Sequence, residues 1–68
     1  MEKLEMFEEI LEGVMKDFNK ESWFEVFDSD LFYIVEGKIR DYYYDEDYNA
    51  MINDIDYKNW ITKMAEDL

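Results

Sequence analysis

Apolar side chains recur every three or four residues in the first part of the chain, which is the spacing of an amphipathic helix. The stripe consists of Leu4, Phe7, Leu11, Val14 and Phe18. It predicts a helix from about Lys3 to Phe18, which ends before Asn19. The opposite face of this helix is acidic and carries Glu5, Glu8, Glu9 and Glu12.

From residue 22 onward the helical spacing stops, and the apolar residues come in short runs that are rich in aromatic and β-branched side chains, a composition that favours strands. Such runs occupy residues 23–27, 31–35 and 39–44. Asp28-Ser29-Asp30 is a turn signal between the first two, and Gly37-Lys38 offers a two-residue hairpin between the last two. The sequence therefore predicts three antiparallel strands, with the register of the hairpin left open.

The last third of the chain returns to helical spacing, but in two pieces. One stripe holds Tyr48, Met51, Ile52 and Ile55, and a second, shifted in phase, holds Tyr57, Trp60, Ile61, Met64 and Leu68. Asp56 is a suitable N-cap for the second helix. The predicted fold is therefore α+β, a single small domain in the order α-β-β-β-α-α, with a three-stranded antiparallel meander packed against helices.

The balance of charge changes this picture. The chain has 19 acidic and 7 basic residues among 68, a formal net charge of −12. A small domain needs a net charge of only about 2 to 8 for solubility, and a larger one destabilises the fold by self-repulsion. Disorder does not explain the charge, because 49% of the residues are hydrophobic and 19% are aromatic. The excess of carboxylates therefore indicates a function.

The residue types that are missing narrow the chemistry. The chain has no His and no Cys, so it lacks the common bases, nucleophiles and soft metal ligands, and it forms no disulfides. Paired carboxylates carry no information in a chain with 19 acids. We therefore expect no enzyme and no cofactor. The first residues are rich in Glu rather than in apolar residues, so we also expect no targeting signal and no membrane partner.

Residues 45–56 resemble the calcium loop of an EF-hand. Positions 1, 3, 5 and 12 of that pattern are held by Asp45, Asp47, Asn49 and Asp56. The resemblance implies that their side-chain oxygens bind calcium. However, Ala50 stands where the loop needs Gly, and a predicted strand precedes it where the motif has a helix. A calcium-binding module is therefore an alternative function.

The acids between residues 21 and 56 are accompanied only by Lys38 and Arg40. Proteins that bind duplex DNA match its closely spaced phosphates with Lys and Arg, and such sites also attract carboxylates. Tyrosines among the acids suit stacking on Arg guanidinium groups. The predicted partner-binding residues are Asp28, Asp30, Glu36, Asp41, Tyr42, Tyr44, Asp45, Glu46, Asp47, Tyr48, Asp54 and Asp56. A second acidic patch is formed by Glu5, Glu8, Glu9 and Glu12.

In size, charge and composition the chain resembles the small acidic DNA-mimic inhibitors of phages and other mobile elements. These include anti-CRISPR proteins, uracil-DNA glycosylase inhibitors and inhibitors of histone-like nucleoid proteins. The resemblance implies a protein of the host cytosol that binds a basic nucleic-acid-binding host protein and inhibits it by competition, without binding nucleic acid itself. A small structural or antitoxin-like interaction subunit is a further alternative, and homodimer formation stays open.

Overall fold

The computed structural model describes residues 2–67, and within that range the chain is helical and contains no strand. The helices are α1 (Lys3–Asp17), α2 (Trp23–Phe27), α3 (Phe32–Arg40), α4 (Tyr48–Asn53) and α5 (Ile55–Glu66), with a single 3₁₀ turn at Tyr44–Glu46. The predicted α+β fold with its three-stranded meander is therefore wrong. None of the helices in residues 2–67 has the length and apolar character needed to cross a bilayer.

The first helix is confirmed, and its end lies within one residue of the predicted end. Phe7, Leu11 and Val14 of the apolar stripe are buried. Asn19 adopts the left-handed conformation with φ of 55°, and the Lys20 N–H donates to the Met15 carbonyl at 2.7 Å. This bond satisfies one of the carbonyls that a helix end otherwise leaves unpaired.

The predicted first strand is the helix α2, because a capping box starts it. The Phe24 N–H donates to Ser22 Oγ at 3.2 Å. The Glu25 carboxylate accepts in return from the Ser22 N–H at 3.3 Å. A Ser followed three residues later by Glu is a signal for a helix start that the aromatic composition of residues 23–27 obscured.

Residues 32–35 of the predicted second strand and residues 39–40 of the predicted third form one helix, α3, so the hairpin between them does not exist. Gly37 lies inside α3 and does not have the positive φ that a type II′ turn requires. Val35 and Ile39 are both fully buried, four residues apart, as on one face of a helix. Packing of that face therefore overrides the strand propensity of the individual residues.

The last third is helical in two pieces, as predicted, but the break is at Asp54 rather than at Asp56. The Asp54 carboxylate caps α5 by accepting from the Asp56 N–H at 2.9 Å. Asp47 caps α4 in the same way, accepting from the Asn49 N–H at 2.9 Å. Two of the predicted surface acids therefore also begin helices.

All five helices contribute to one core, in which α1 packs against α2, α3 and α5, and α4 packs against α3 and α5. Phe7 is fully buried, with its ring centroid 5.7 Å from that of Tyr57 in an edge-to-face contact and 5.2 Å from that of Trp60. Aromatic pairs of this kind stabilise a fold by about 0.5 to 1.5 kcal/mol beyond their buried area. The buried side chains of this core are Phe7, Leu11, Val14, Val26, Val35, Ile39, Met51, Tyr57, Trp60 and Met64.

Candidate partner-binding surface

The acidic side chains lie almost entirely on the outside of the molecule. Of the 19 acids, only Glu36 and Asp54 are half-buried, and the others are exposed. Within residues 2–67 the ion pairs are those that Lys3 makes with Asp54 and with Asp56. The other acids have no ion pair with a cation of residues 2–67, and all of them except Glu36 present their charge to solvent.

The densest run of exposed acids lies in the segment that joins α3 to α4, residues 41–47, which we call the connecting segment. Its acids Asp41, Asp45, Glu46 and Asp47 are all exposed. Tyr42 and Tyr44 are 67% and 87% exposed, and Tyr48, the first residue of α4, is 45% exposed. The structure therefore places these seven predicted site residues together on the surface.

The backbone of the connecting segment is held in an unusual conformation. Asp45 and Glu46 are consecutive and both left-handed, with φ of 56° and 52°. For a residue other than Gly this region costs roughly 1 to 2 kcal/mol. The turn is held by the Glu46 N–H, which donates to the Tyr43 carbonyl at 2.9 Å, and by the cap that Asp47 supplies to α4. The carboxylates are therefore presented on a defined backbone rather than on a free loop.

Tyr43 lies in the middle of this segment but points inward, where it anchors the segment to the fold. Its hydroxyl donates to the Asp54 carboxylate at 3.0 Å, and Lys3 Nζ donates to the same oxygen. The Lys3 ammonium also lies 5.8 Å from the centre of the Tyr43 ring. We call Lys3, Tyr43, Asp54 and Asp56 the Asp54 cluster. It ties the connecting segment to the first turns of α1 and α5.

The ionisation of the Asp54 cluster follows from these contacts. Burial alone would raise the pKa of Asp54, but the hydrogen bonds from Lys3, from the Asp56 N–H and from Tyr43 outweigh it and lower the pKa. The same hydrogen bond raises the pKa of Lys3. Burial, together with the hydrogen bond to the Asp54 carboxylate, raises the pKa of the Tyr43 hydroxyl. Within the cluster, Lys3 and Asp54 are therefore a charged pair to which the neutral Tyr43 phenol is hydrogen-bonded.

The sequence pattern grouped Asp54 and Glu36 with the exposed acids, but the structure uses both internally. The Asp54 side chain is only 9% exposed. The Glu36 carboxylate accepts from the hydroxyls of Tyr57 at 3.3 Å and Tyr48 at 3.4 Å, both long for such bonds. The negative charge of Glu36 raises the pKa of Tyr48. The exposed members of the predicted set are Asp28, Asp30, Asp41, Tyr42, Tyr44, Asp45, Glu46, Asp47, Tyr48 and Asp56.

Tyr33 is a surface residue that sequence reasoning missed. It is 74% exposed, and it lines two adjoining surface depressions, one beside Asp28 and Asp30 and the other beside Glu36 and Tyr48. It thereby connects the turn before α3 to the start of α4. Val35 and Ile39 are spaced four residues apart, as on one face of a helix, and that spacing places Tyr33 off the buried face.

The second predicted patch is a continuous strip along α1. Its four glutamates, Glu5, Glu8, Glu9 and Glu12, are exposed and line a shallow surface depression together with Leu4. Like charges at this spacing destabilise an isolated helix by roughly 0.2 to 0.5 kcal/mol per pair. Helix α1 is therefore stabilised by packing of its opposite, apolar face, which offsets the repulsion within the strip.

The EF-hand-like alternative does not have the geometry that it needs. Residues 48–53 form α4, where the calcium loop requires an irregular chain that wraps the ion. The Asp47 carboxylate accepts from the Asn49 N–H and thereby caps α4. Across residues 2–67, no three acidic side chains converge in a way that would hold a metal ion. Residues 45–56 therefore contain helix α4 and the start of α5 where an EF-hand has a single irregular loop.

Comparisons with protein-family models, with curated proteins and with solved structures find no match to this chain. The likeness to DNA-mimic inhibitors therefore remains one of size and charge. Any assignment of function depends on the surface described above.

Proposed function

We propose that this protein is a DNA mimic, which binds the positively charged nucleic-acid-binding site of a host protein in the host cytosol and inhibits it by competition. The observation that carries the proposal is the connecting segment, where four exposed acids lie on either side of the exposed Tyr42 and Tyr44. No described cation pairs with these four acids. A surface without internal counter-charges is suited to a partner that supplies them.

The chemistry of such a site matches what the connecting segment presents. Sites that bind nucleic acid hold Lys and Arg in rows, and they release counterions when an anionic partner binds. Carboxylates held on a strained turn occupy several of these positions with little further loss of conformational entropy. Tyr42, Tyr44 and Tyr48 are available to stack on guanidinium groups, which adds contacts that a phosphate backbone does not offer. The net charge of −12 steers the encounter.

The test is competition against DNA on purified basic proteins. A histone-like nucleoid protein, a uracil-DNA glycosylase and an RNA-guided nuclease are each bound to a fluorescein-labelled duplex, and the anisotropy is followed as this protein is added. We expect displacement of the duplex from at least one of them at about 0.05 M salt, and weaker displacement at about 0.2 M. The proposal fails if none of the three loses its duplex at the lower salt concentration.

A matched pair of variants locates the interface. Asp45→Asn/Glu46→Gln/Asp47→Asn removes three charges from the connecting segment, while Asn retains both the left-handed turn and the helix cap. Glu2→Gln/Glu21→Gln/Glu66→Gln removes three exposed charges elsewhere. We expect the first triple to weaken competition by roughly tenfold or more and the control by a few-fold at most. Equal losses would mean that net charge alone acts, without a specific site.

A further inference from the structure

A second surface feature of different character lies between α1 and α5. It is a groove of about 300 Å³, with Trp23 of α2 completing its lining. Its floor is apolar and consists of Leu11, Met15, Trp23, Trp60 and Met64. Leu11, Trp60 and Met64 are nearly buried, whereas Met15 and Trp23 are half-buried and accessible. This groove shares no residue with the connecting segment.

The rim of the groove is acidic. It is formed by Glu8 and Glu12 of α1, by Asp67 after α5, and by one cation, Lys63. All four are exposed, and none takes part in an ion pair within residues 2–67. An apolar floor with an acidic rim is complementary to a ligand that has apolar side chains and positive charges next to them.

The size and the side chains of the groove indicate which ligand of that kind fits. At about 300 Å³ it is at the lower end of the range for ligand sites. It therefore accommodates the few side chains that one face of a helix projects. Two methionines in the floor provide a surface that adapts to different apolar side chains. A second copy of this chain is a poor occupant, since two surfaces of charge −12 repel each other.

We propose that the groove between α1 and α5 binds a basic amphipathic helix of a partner protein. The apolar residues of that helix rest mainly on Met15 and Trp23, with Trp60 and Met64 beneath them, and its Lys or Arg side chains meet Glu8, Glu12 and Asp67. This interaction uses a surface separate from the connecting segment, although Glu8 and Glu12 also belong to the acidic strip of α1. With the connecting segment and the groove together, the protein can bind a nucleic-acid-binding site and a basic helix at the same time.

The chain carries its own reporter for this interaction, since both of its tryptophans line the groove. The probe is a synthetic helical peptide of leucines and lysines, with leucines at helical spacing and without Trp or Tyr. We expect its addition to shift the tryptophan emission in a saturable way. A peptide of the same composition but with the leucine spacing scrambled should leave the emission nearly unchanged, because it presents no apolar face.

Matched substitutions on each helix test the rim. Glu8→Gln/Glu12→Gln should weaken peptide binding by roughly three- to tenfold, whereas Glu5→Gln/Glu9→Gln, on the same helix but outside the groove, should change it by less than about twofold. On α5, Lys63→Gln should tighten binding by about twofold, and Lys58→Gln, which lies outside the groove, should not. All are exposed positions, so the fold is retained.

Three results would overturn the inference. The first is equal binding of the scrambled peptide, which would reduce the effect to charge attraction. The second is an equal effect of the two glutamate pairs. The third is a change of tryptophan emission with protein concentration alone, which would show that a second copy fills the groove. The Asp45→Asn/Glu46→Gln/Asp47→Asn variant separates the two proposals, because it should bind the peptide within about twofold of the parent protein.

Discussion

The Asp54 cluster and the connecting segment are neighbours that use acidic residues in opposite ways. In the cluster, one carboxylate accepts bonds from Lys3, from Tyr43 and from the backbone at the start of α5. In the connecting segment, Asp45 and Glu46 are exposed and have no ion pair with a described cation. The boundary between the two regions lies between adjacent tyrosines. Tyr43 points inward and bonds to the cluster, whereas Tyr44 is 87% exposed.

This difference separates stability from recognition in the molecule. A carboxylate that is bonded and desolvated contributes to folding, and its removal leaves other groups unpaired. An exposed carboxylate among like charges contributes little to folding or opposes it. Substitutions in the cluster should therefore act on the free energy of unfolding, and substitutions in the connecting segment should act on binding to a partner.

The largest effect on stability is expected for Asp54→Ala. The variant loses the cap of α5, worth about 1 kcal/mol, and it leaves the Tyr43 hydroxyl without its acceptor, worth about 1 to 2 kcal/mol. The combined loss of about 2 to 3 kcal/mol lowers Tm by roughly 10 to 20 °C in a domain of this size. Thermal unfolding followed by circular dichroism measures it.

Asp54→Asn and Asp45→Ala are the controls for that prediction. Asn retains the cap and should recover about half of the loss. The Asp45 side chain makes no hydrogen bond or ion pair within residues 2–67. Asp45→Ala should therefore destabilise the fold only through the left-handed backbone, by about 1 kcal/mol. If Asp54→Ala were no more destabilising than Asp45→Ala, the distinction between the two regions would be lost.

The next effect is a loss of stability at high pH. Burial raises the pKa of the Tyr57 hydroxyl, and the nearby Glu36 carboxylate adds to it; the pKa of Tyr43 is raised in the same direction. The unfolded chain therefore releases these protons first, at about pH 10. The contribution of these two tyrosines to the free energy of unfolding is fully present below that pH and is lost as the pH rises above it.

Tyr57→Phe tests this pH dependence. Phe cannot ionise, so the variant should lose less of its stability between about pH 10 and 12 than the parent protein does. Urea unfolding at a series of pH values gives the slope. An identical slope in both proteins would show that Tyr57 does not supply the pH dependence.

A smaller effect is expected for Tyr43→Phe, which removes one half-buried hydroxyl from the Asp54 carboxylate. The expected loss is about 1 kcal/mol. Tyr44→Phe, one residue away, removes a hydroxyl that faces solvent and should change the free energy of unfolding by less than about 0.5 kcal/mol. Chemical denaturation distinguishes the two, and equal losses would contradict the opposite orientations of these side chains.

The smallest effect is expected for Glu46→Gly. Glycine removes the cost of the left-handed conformation at this position, but it also loses more backbone entropy on folding. The net gain should be at most about 1 kcal/mol. Asp41→Gly, at a residue with φ of −60°, should instead destabilise by a few tenths to about 1 kcal/mol. A loss in both variants would mean that Glu46 is not strained.

The parts of the fold that could be predicted are those with a long period. The stripe of α1 repeats over four turns, and the shift in phase after Ile55 shows that the last third is broken. The region from Ser22 to Tyr44 could not be assigned in this way. Its aromatic and β-branched runs are short, and short apolar runs fit a buried helix as well as a strand. Only the Ser22 and Glu25 pair marks a helix start, and the aromatic run that follows it favours a strand instead.

The sequence by itself determined that the surface would be strongly negative, because most of 19 carboxylates cannot be buried without partners and the chain has only 7 cations to offer. Tertiary structure decided which acid is paired, which tyrosines face outward, and that residues 23–27 and 32–40 are helices. The reason is that charge is a property of composition, whereas the direction of a side chain depends on what its element packs against. Helices α2 and α3 pack against the apolar face of α1, and the sequence of residues 22–44 alone does not reveal that contact.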